Sequence, residues 1–221
     1  MSNYINAFLL VVAVPTVILA GCSAKPPVRY ASIDSSSLLT PNTDDKSNRI
    51  PYRYAPPVDW SKYTNIIIEP VVIYQGGDHQ FGDLLPEERK LLADYMYNKF
   101  SESLRPHFRE VSTPISGTIR LKLTLTGADT TTSFIGTITK LDPLVGGPYN
   151  IVQSIRGEEG LFNGSVNYVV ELYDASNHSL LNAYVARQYP NAMNIGASIG
   201  SLNAAEVGID KGAEELAEML N

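Results

Sequence analysis

The residue pattern closest to bond-making chemistry lies near the C-terminal end, where Gly196, Ala197, Ser198, Ile199 and Gly200 satisfy the G-x-S-x-G pattern of a nucleophile elbow. Such a serine needs a strand before it, a helix after it and an imidazole to take its proton, and in α/β-hydrolases both the acid and the histidine follow it in the chain. Here all three histidines, His79, His107 and His178, precede Ser198, and the stretch from there to Asn221 is too short to supply the rest of that fold. Because a triad is defined by geometry rather than order, only a rearranged constellation would rescue it. Metal and phosphate chemistry lack their patterns too: the histidines are far apart, and there is neither an H-E-x-x-H sequence nor a Gly-rich loop ending in Lys-Ser or Lys-Thr. Glu158 and Glu159 adjoin beside Arg156, and Asp129 stands alone after a strand; loop neighbours of this kind serve solubility more often than acid/base work. The expectation is no catalytic set, no cofactor and no metal, hence no enzyme.

One reactive side chain remains. Cys22 is the only cysteine, and Leu19, Ala20, Gly21 and Cys22 close a run that is apolar from Ala7 to Ala20 apart from Thr16, with Pro15 inside it. A membrane-spanning helix needs about 20 apolar residues, so this run is too short to span, yet it suits the h-region of an exported precursor. Met1 to Asn6 contain no Lys or Arg, leaving the terminal amine as the positive charge of the n-region. The tetrapeptide resembles the lipobox of bacterial lipoproteins. That resemblance implies a diacylglycerol on the Cys22 thiol, cleavage just before it and acylation of the new amino end. With Ser23 rather than Asp next, it also implies the outer membrane of a Gram-negative cell. Two or more acyl chains make such an attachment stable, at about 0.8 kcal/mol per buried methylene. An uncleaved apolar anchor is the competing explanation.

Charge and length bound the rest. The formal net charge is −6, and residues 1–21 contain no Lys, Arg, Asp or Glu, so the part after the anchor carries all of it. Phosphate backbones require a clustered basic face, which argues against a nucleic-acid partner. A chain of roughly 200 residues forms one domain by default and buries about 70% of its unfolded surface, so it needs no disulfide, and a single cysteine allows none within the chain. Three parts follow: 1–21 as a lipoprotein signal peptide, 22–57 as the lipidated N-terminus and tether, and 58–221 as a periplasmic α+β domain. Ser35 to Ser37 and Pro41 to Asp45 make the tether polar, with an r.m.s. span of about 30 Å if fully flexible. Its last part places Tyr52, Tyr54, Trp60 and Tyr63 around Pro56 and Pro57, either as an aromatic strap packed on the domain or as a stacking surface.

Within the domain, Ile66, Ile67, Ile68, Val71, Val72 and Ile73 form a β-branched run that reads as a central strand, interrupted or ended by Pro70. Gly76, Gly77 and Gly82 mark a loop. Pro86 then opens a helix with Glu87 and Glu88 in its first turn, Leu92, Tyr95, Met96, Phe100 and Leu104 on its buried face, and Pro106 past its end. From Gly117 to Thr126, Ile119, Leu121, Leu123 and Leu125 alternate with polar residues, predicting one face on the core and one in water. Gly164 to Tyr173 and Leu180 to Arg187 read as a hairpin. Asn203 with Glu206 suggests a polar N-cap for a terminal helix lined by Ile209, Ala213, Leu216 and Leu220. The order predicts an α+β fold, a mixed or antiparallel sheet with helices packed on one face.

These segments also carry a family resemblance. Val58, Asp59, Trp60, Ser61, Lys62 and Tyr63 before Ile67, Ile68, Glu69, Pro70 and Val71 resemble the opening of the bacterial lipoprotein family catalogued as domain of unknown function 3313. Leu91 to Tyr95, the arginine-bearing strand Gly117 to Thr126, and Phe162 to Asp174 resemble its further motifs in order. Where that family has a Gly soon after the Asp, this chain has Asn177, a residue that tolerates positive φ. The resemblance implies location and fold and brings no activity with it.

Two further regions could hold a function. Phe134 to Ile155 carries only Lys140 and Asp142 as charges, and Phe134, Ile138, Leu144 and Ile155 are its candidate contact surface: packing for the sheet, a surface for a partner, or a lid over an acyl chain. Gly196, Gly200, Ala204, Gly208 and Gly212 form a small-residue stripe that suits a helix pressed against the sheet. The expected function is a non-catalytic, membrane-anchored module that binds another envelope component, protein or lipid. A lipid or hydrophobe carrier is the alternative.

Overall fold

Pro70 divides the β-branched run into two short strands that pair with the same neighbour. Asn65–Ile68 (β3) and Val72–Ile73 (β4) both lie parallel to the long strand Thr118–Asp129 (β6), against Thr118 to Leu121 and against Thr124 and Leu125 respectively. A proline has no N–H for the ladder, so the chain lifts off between them and re-enters further along. The computed structural model describes residues 26–129, 164–190 and 202–221.

Antiparallel to β6 runs Ser165–Asp174 (β7), followed by the hairpin return Leu180–Gln188 (β8). With Thr40–Pro41 (β1), Tyr52–Tyr54 (β2) and Arg109–Glu110 (β5), the order across the sheet is β1-β2-β8-β7-β6-β3-β5, with β4 also on β6. The sheet is mixed: β3, β4 and β5 make the parallel pairs, the rest antiparallel. Two α-helices, Pro86–Leu104 (α1) and Asn203–Met219 (α2), pack with one face of it in a common core. The fold is the expected α+β class.

That core forms because two periodicities meet. Ile119, Leu121, Leu123 and Leu125 of β6 and Val166, Tyr168, Val170 and Leu172 of β7 point one way. Leu92, Met96, Phe100 and Leu104 of α1 and Ile209, Ala213 and Leu216 of α2 come down on them at three- and four-residue spacing. The small-residue stripe is a packing device where it is described. A Cβ on Gly208 would sit 2.9 Å from the Gln188 carbonyl oxygen, and one on Gly212 would sit 1.8 Å from Tyr168 Oη. At the start of α1, Glu88 accepts the Leu85 N–H at 3.0 Å, satisfying one of the donors that a helix start leaves open. The N-cap position of α2 falls on Leu202 rather than on Asn203, and Leu202 has no polar side chain to cap with.

The opposite face departs from expectation. It is covered by residues 26–57, which the sequence presents as a tether. Tyr30 and Leu39 are about 1% exposed and join Ile33, Tyr74, Val169, Ala183 and Val185 in a second apolar cluster. The strap is held along its length. Ala31 N–H donates to Asp78 Oδ2 (3.0 Å), Ser32 N–H to Tyr74 Oη (3.1 Å) and Ser35 N–H to Glu171 Oε1 (2.8 Å), while β2 pairs with β8. Thr124 and Thr126, expected to meet water, are consequently buried, and Thr118 is buried too, its hydroxyl donating to the Ile115 carbonyl at 2.7 Å. Composition misleads here because a polar chain can be fixed by hydrogen bonds to a sheet face as well as by apolar burial. The four rings near Pro56 and Pro57 divide between the two faces: Trp60 and Tyr63 pack on the helix-side core, Tyr52 and Tyr54 on the strap-side cluster. They act as packing and form no shared stacking surface.

A bulge after Leu125 fits the strap to the sheet. Leu125 faces Tyr168 while Gly127 faces Asn167, so Thr126 is the extra residue. The chain at Gln80 crosses so close to Gly127 that a Cβ there would lie 2.5 Å from the Gln80 carbonyl oxygen. Gln80 in turn accepts from Tyr30 Oη and Asn167 Nδ2 and donates to the Pro26 carbonyl, each at 2.9 Å.

Candidate functional site

Alternation along β6 turns Arg120 and Lys122 away from the helices, and the antiparallel register sets them opposite Tyr173 and Glu171 of β7. Glu69, one residue past β3, donates its N–H to the Leu121 carbonyl at 3.0 Å and so stands beside Arg120. The strap adds Asp34 and the β7–β8 turn adds His178. Asp34, Glu69, Arg120, Lys122, Tyr173 and His178 line an open cleft of about 300 Å³.

The charges in it are fixed against one another. Arg120 Nη1 lies 2.9 Å from Glu69 Oε1; Lys122 Nζ lies 2.6 Å from Asp34 Oδ2 and 3.7 Å from Glu171 Oε2. Glu171 is wholly buried beneath the cleft floor, and its Oε1 accepts from Ser35 N–H and from Tyr173 Oη at 3.1 Å. Among the described residues, its Oε2 accepts no hydrogen bond and the buried Arg120 Nε donates none. Burial pushes the Lys122 ammonium toward neutrality, but the bond to Asp34 and the field of Glu171 outweigh it and hold its pKa above the ordinary lysine value. The Tyr173 phenol is pushed up, first by burial and then by the Glu171 carboxylate. Leaving His178 aside, three carboxylates (Asp34, Glu69 and Glu171) face two cations (Arg120 and Lys122), a formal surplus of one negative charge. The described cleft sets no serine or cysteine beside a general base. Its side chains offer ionic and hydrogen-bonding contacts.

The expected site residues fare differently. Cys22, the contact surface Phe134, Ile138, Leu144 and Ile155, and Ser198 with Gly196 and Gly200 all lie outside the described residues. Asp129 accepts a hydrogen bond from Ser165 Oγ at 2.9 Å. His79, His107 and His178 stay on separate loops, and among the described residues no group of three or more His, Cys, Asp or Glu side chains could hold a metal ion. The positive φ of the hairpin turn falls on His178 (60°), not on Asn177, whose side chain accepts the Ser179 N–H at 2.8 Å. The cleft was missed because Arg120 and Lys122 look like the solvated face of an amphipathic strand. The available signal was Glu171, a lone charge inside the otherwise uncharged run from Val166 to Tyr173.

Residues 29–216 match the family described as "Protein of unknown function (DUF3313)". The chain belongs to that family. The DUF3313 match takes in the strap as well as the sheet and helices, in line with their joint packing. No curated protein matches the chain. Among solved structures it is similar to a dodecamer of a PelC variant from Paraburkholderia phytofirmans, at 12% identity and TM-score 0.40 over 75% of this chain and 94% of that one. A second PelC dodecamer from the same organism has 12% identity and TM-score 0.38 over 75% and 94%. The protein XCC0632 from Xanthomonas campestris has 11% identity and TM-score 0.37 over 76% and 94%.

Proposed function

We propose that this DUF3313 protein is an outer-membrane lipoprotein, acylated at Cys22, whose non-catalytic periplasmic domain binds another component of the cell envelope. The observation that carries the binding role is the cleft beside Arg120 and Lys122. Its charges of both signs are held by Glu69, Asp34 and the buried Glu171, so a polar partner segment meets a surface largely arranged and loses little side-chain entropy in ordering it. The partner is an envelope protein presenting charged side chains, with the surplus carboxylate favouring a basic group.

Two measurements test the two halves. Mass spectrometry of the membrane-extracted protein should find Cys22 at the amino end carrying acyl chains, and Cys22→Ser should move the protein out of the membrane fraction. An intact N-terminus with a free thiol removes the anchor. For binding, a photo-crosslinking residue in place of the exposed His178 should give a discrete adduct in intact cells, whereas one in place of the exposed Glu214 on α2 should not. Equal yields from both positions, or none from 178, defeat the docking role.

A further inference from the structure

We infer that the end of the sheet formed by Pro26, Gln80, Gly127 and Asn167 is held against the lipid bilayer, and that the β7–β8 turn with the charged cleft points away from it. This rests on the proposed acylation of Cys22. A flexible tether running to residue 57 would let the domain take any orientation, but the strap removes that freedom. Pro26 is already fixed by the bond from Gln80 Nε2 at 2.9 Å. Gln80 is in turn locked by Tyr30, Asn167 and the bridge to Gly127. Between Cys22 and Pro26 stand Ser23, Ala24 and Lys25, and four Cα steps reach at most about 14 Å however the chain runs.

Strand β6 gives the scale on the other side. Gly127 lies beside the pinned Gln80, whereas Arg120 and Lys122 lie toward the opposite end of the 12-residue strand, next to the turn from Asp174 to Ser179. At about 3.3 Å per residue, the five residues from Gly127 to Lys122 span about 17 Å and the seven to Arg120 about 23 Å, both beyond the reach of the linker. The acyl chains can therefore draw only one end of the body to the headgroups. The partner of that end is a phospholipid surface, and the cleft is left facing the periplasmic space.

The test uses the acylated full-length chain, in which the sole native cysteine is blocked by its lipid. His79→Cys, exposed beside Gln80, and Ser179→Cys, exposed in the hairpin turn, are each labelled with an environment-sensitive fluorophore. The proteins are reconstituted into phosphatidylethanolamine/phosphatidylglycerol vesicles containing headgroup-nitroxide lipid. Quenching should be several-fold stronger at 79 than at 179. Inserting about 12 Gly/Ser residues after Lys25, with an r.m.s. span of about 20 Å, should erase that difference. Equal or reversed quenching in protein that floats with the vesicles overturns the orientation and leaves the anchor standing. Protein that neither floats nor carries acyl chains on Cys22 overturns both.

Discussion

The two faces of the sheet are covered by different physics. On one side α1 and α2 supply a continuous apolar core in which Leu121, Leu123, Met96 and Phe100 are fully buried. On the other, the strap brings a small cluster around Tyr30, Leu39 and Val185, and relies otherwise on hydrogen bonds and ion pairs to Asp78, Tyr74, Glu171 and Lys122. Apolar burial neither titrates nor is screened by ions, whereas contacts built on carboxylates are subject to both. The helix side is the part that must fold for the domain to exist. The strap is the part that can loosen locally, and the cleft lies where it crosses the sheet.

The sharpest way to break that contrast is a matched pair of truncations. Leu121→Ala on the helix side should cost about 4 kcal/mol, near the upper part of the range for leucine in a packed core, and lower the denaturant midpoint of the whole domain. Leu39→Ala on the strap should cost about 2 kcal/mol, near the lower end, because a surface segment can settle into the space. Hydrogen exchange should show the second loss confined to residues 26–57 and their sheet contacts. Equal global losses would show that the strap and the helix side form one cooperative unit.

Glu171→Ala should cost about 2 kcal/mol, since it leaves the Ser35 N–H and the Tyr173 hydroxyl without their acceptor. Amide exchange near Ser35 should quicken while that of α1 stays unchanged.

Acid should act in the same direction. Burial opposes the charged form of Asp78, but the Ala31 N–H and the Tyr74 hydroxyl outweigh it and hold its carboxyl below the usual range. Asp45 is lowered likewise against burial, by bonds from Ser47 and from the Ile50 N–H. A depressed folded pKa contributes stability above the unfolded value, near 4, and loses it as pH falls through the folded one. Strap amides should thus lose protection below about pH 4 before those of the helix-side core. Simultaneous loss on both sides would contradict the division.

The smallest effect belongs to Asp34→Asn. The Asp34 side chain is 68% exposed, so its pair with Lys122 is worth less than about 1 kcal/mol and should fade with added salt. A larger loss would mean that the cleft pair is a main fastening of the strap.

How much was legible follows the same line. The period-two alternation of β6, the hairpin of β7 and β8 and the helical stripes of α1 and α2 stand in the sequence because each element buries its own apolar face, and a local pattern records that. The DUF3313 membership was legible from motif order. The cleft was not: Arg120 and Lys122 are ordinary outward residues until Glu171, Glu69 and Asp34 arrive from three other segments. The helix side also hid a detail, since Gly212 is explained only by Tyr168 standing against it.

By itself the sequence determined the long strands β6, β7 and β8, the helices α1 and α2, the fold class and the single thiol with its lipobox-like setting, because these depend on residues close together in the chain. Tertiary structure alone decided that a polar, Ser- and Pro-containing stretch is bound to the sheet from Pro26 onward. Whether such a stretch stays in water depends on acceptors such as Glu171, Asp78 and Gln80, which lie far away in sequence, and no local pattern records a partner at that distance.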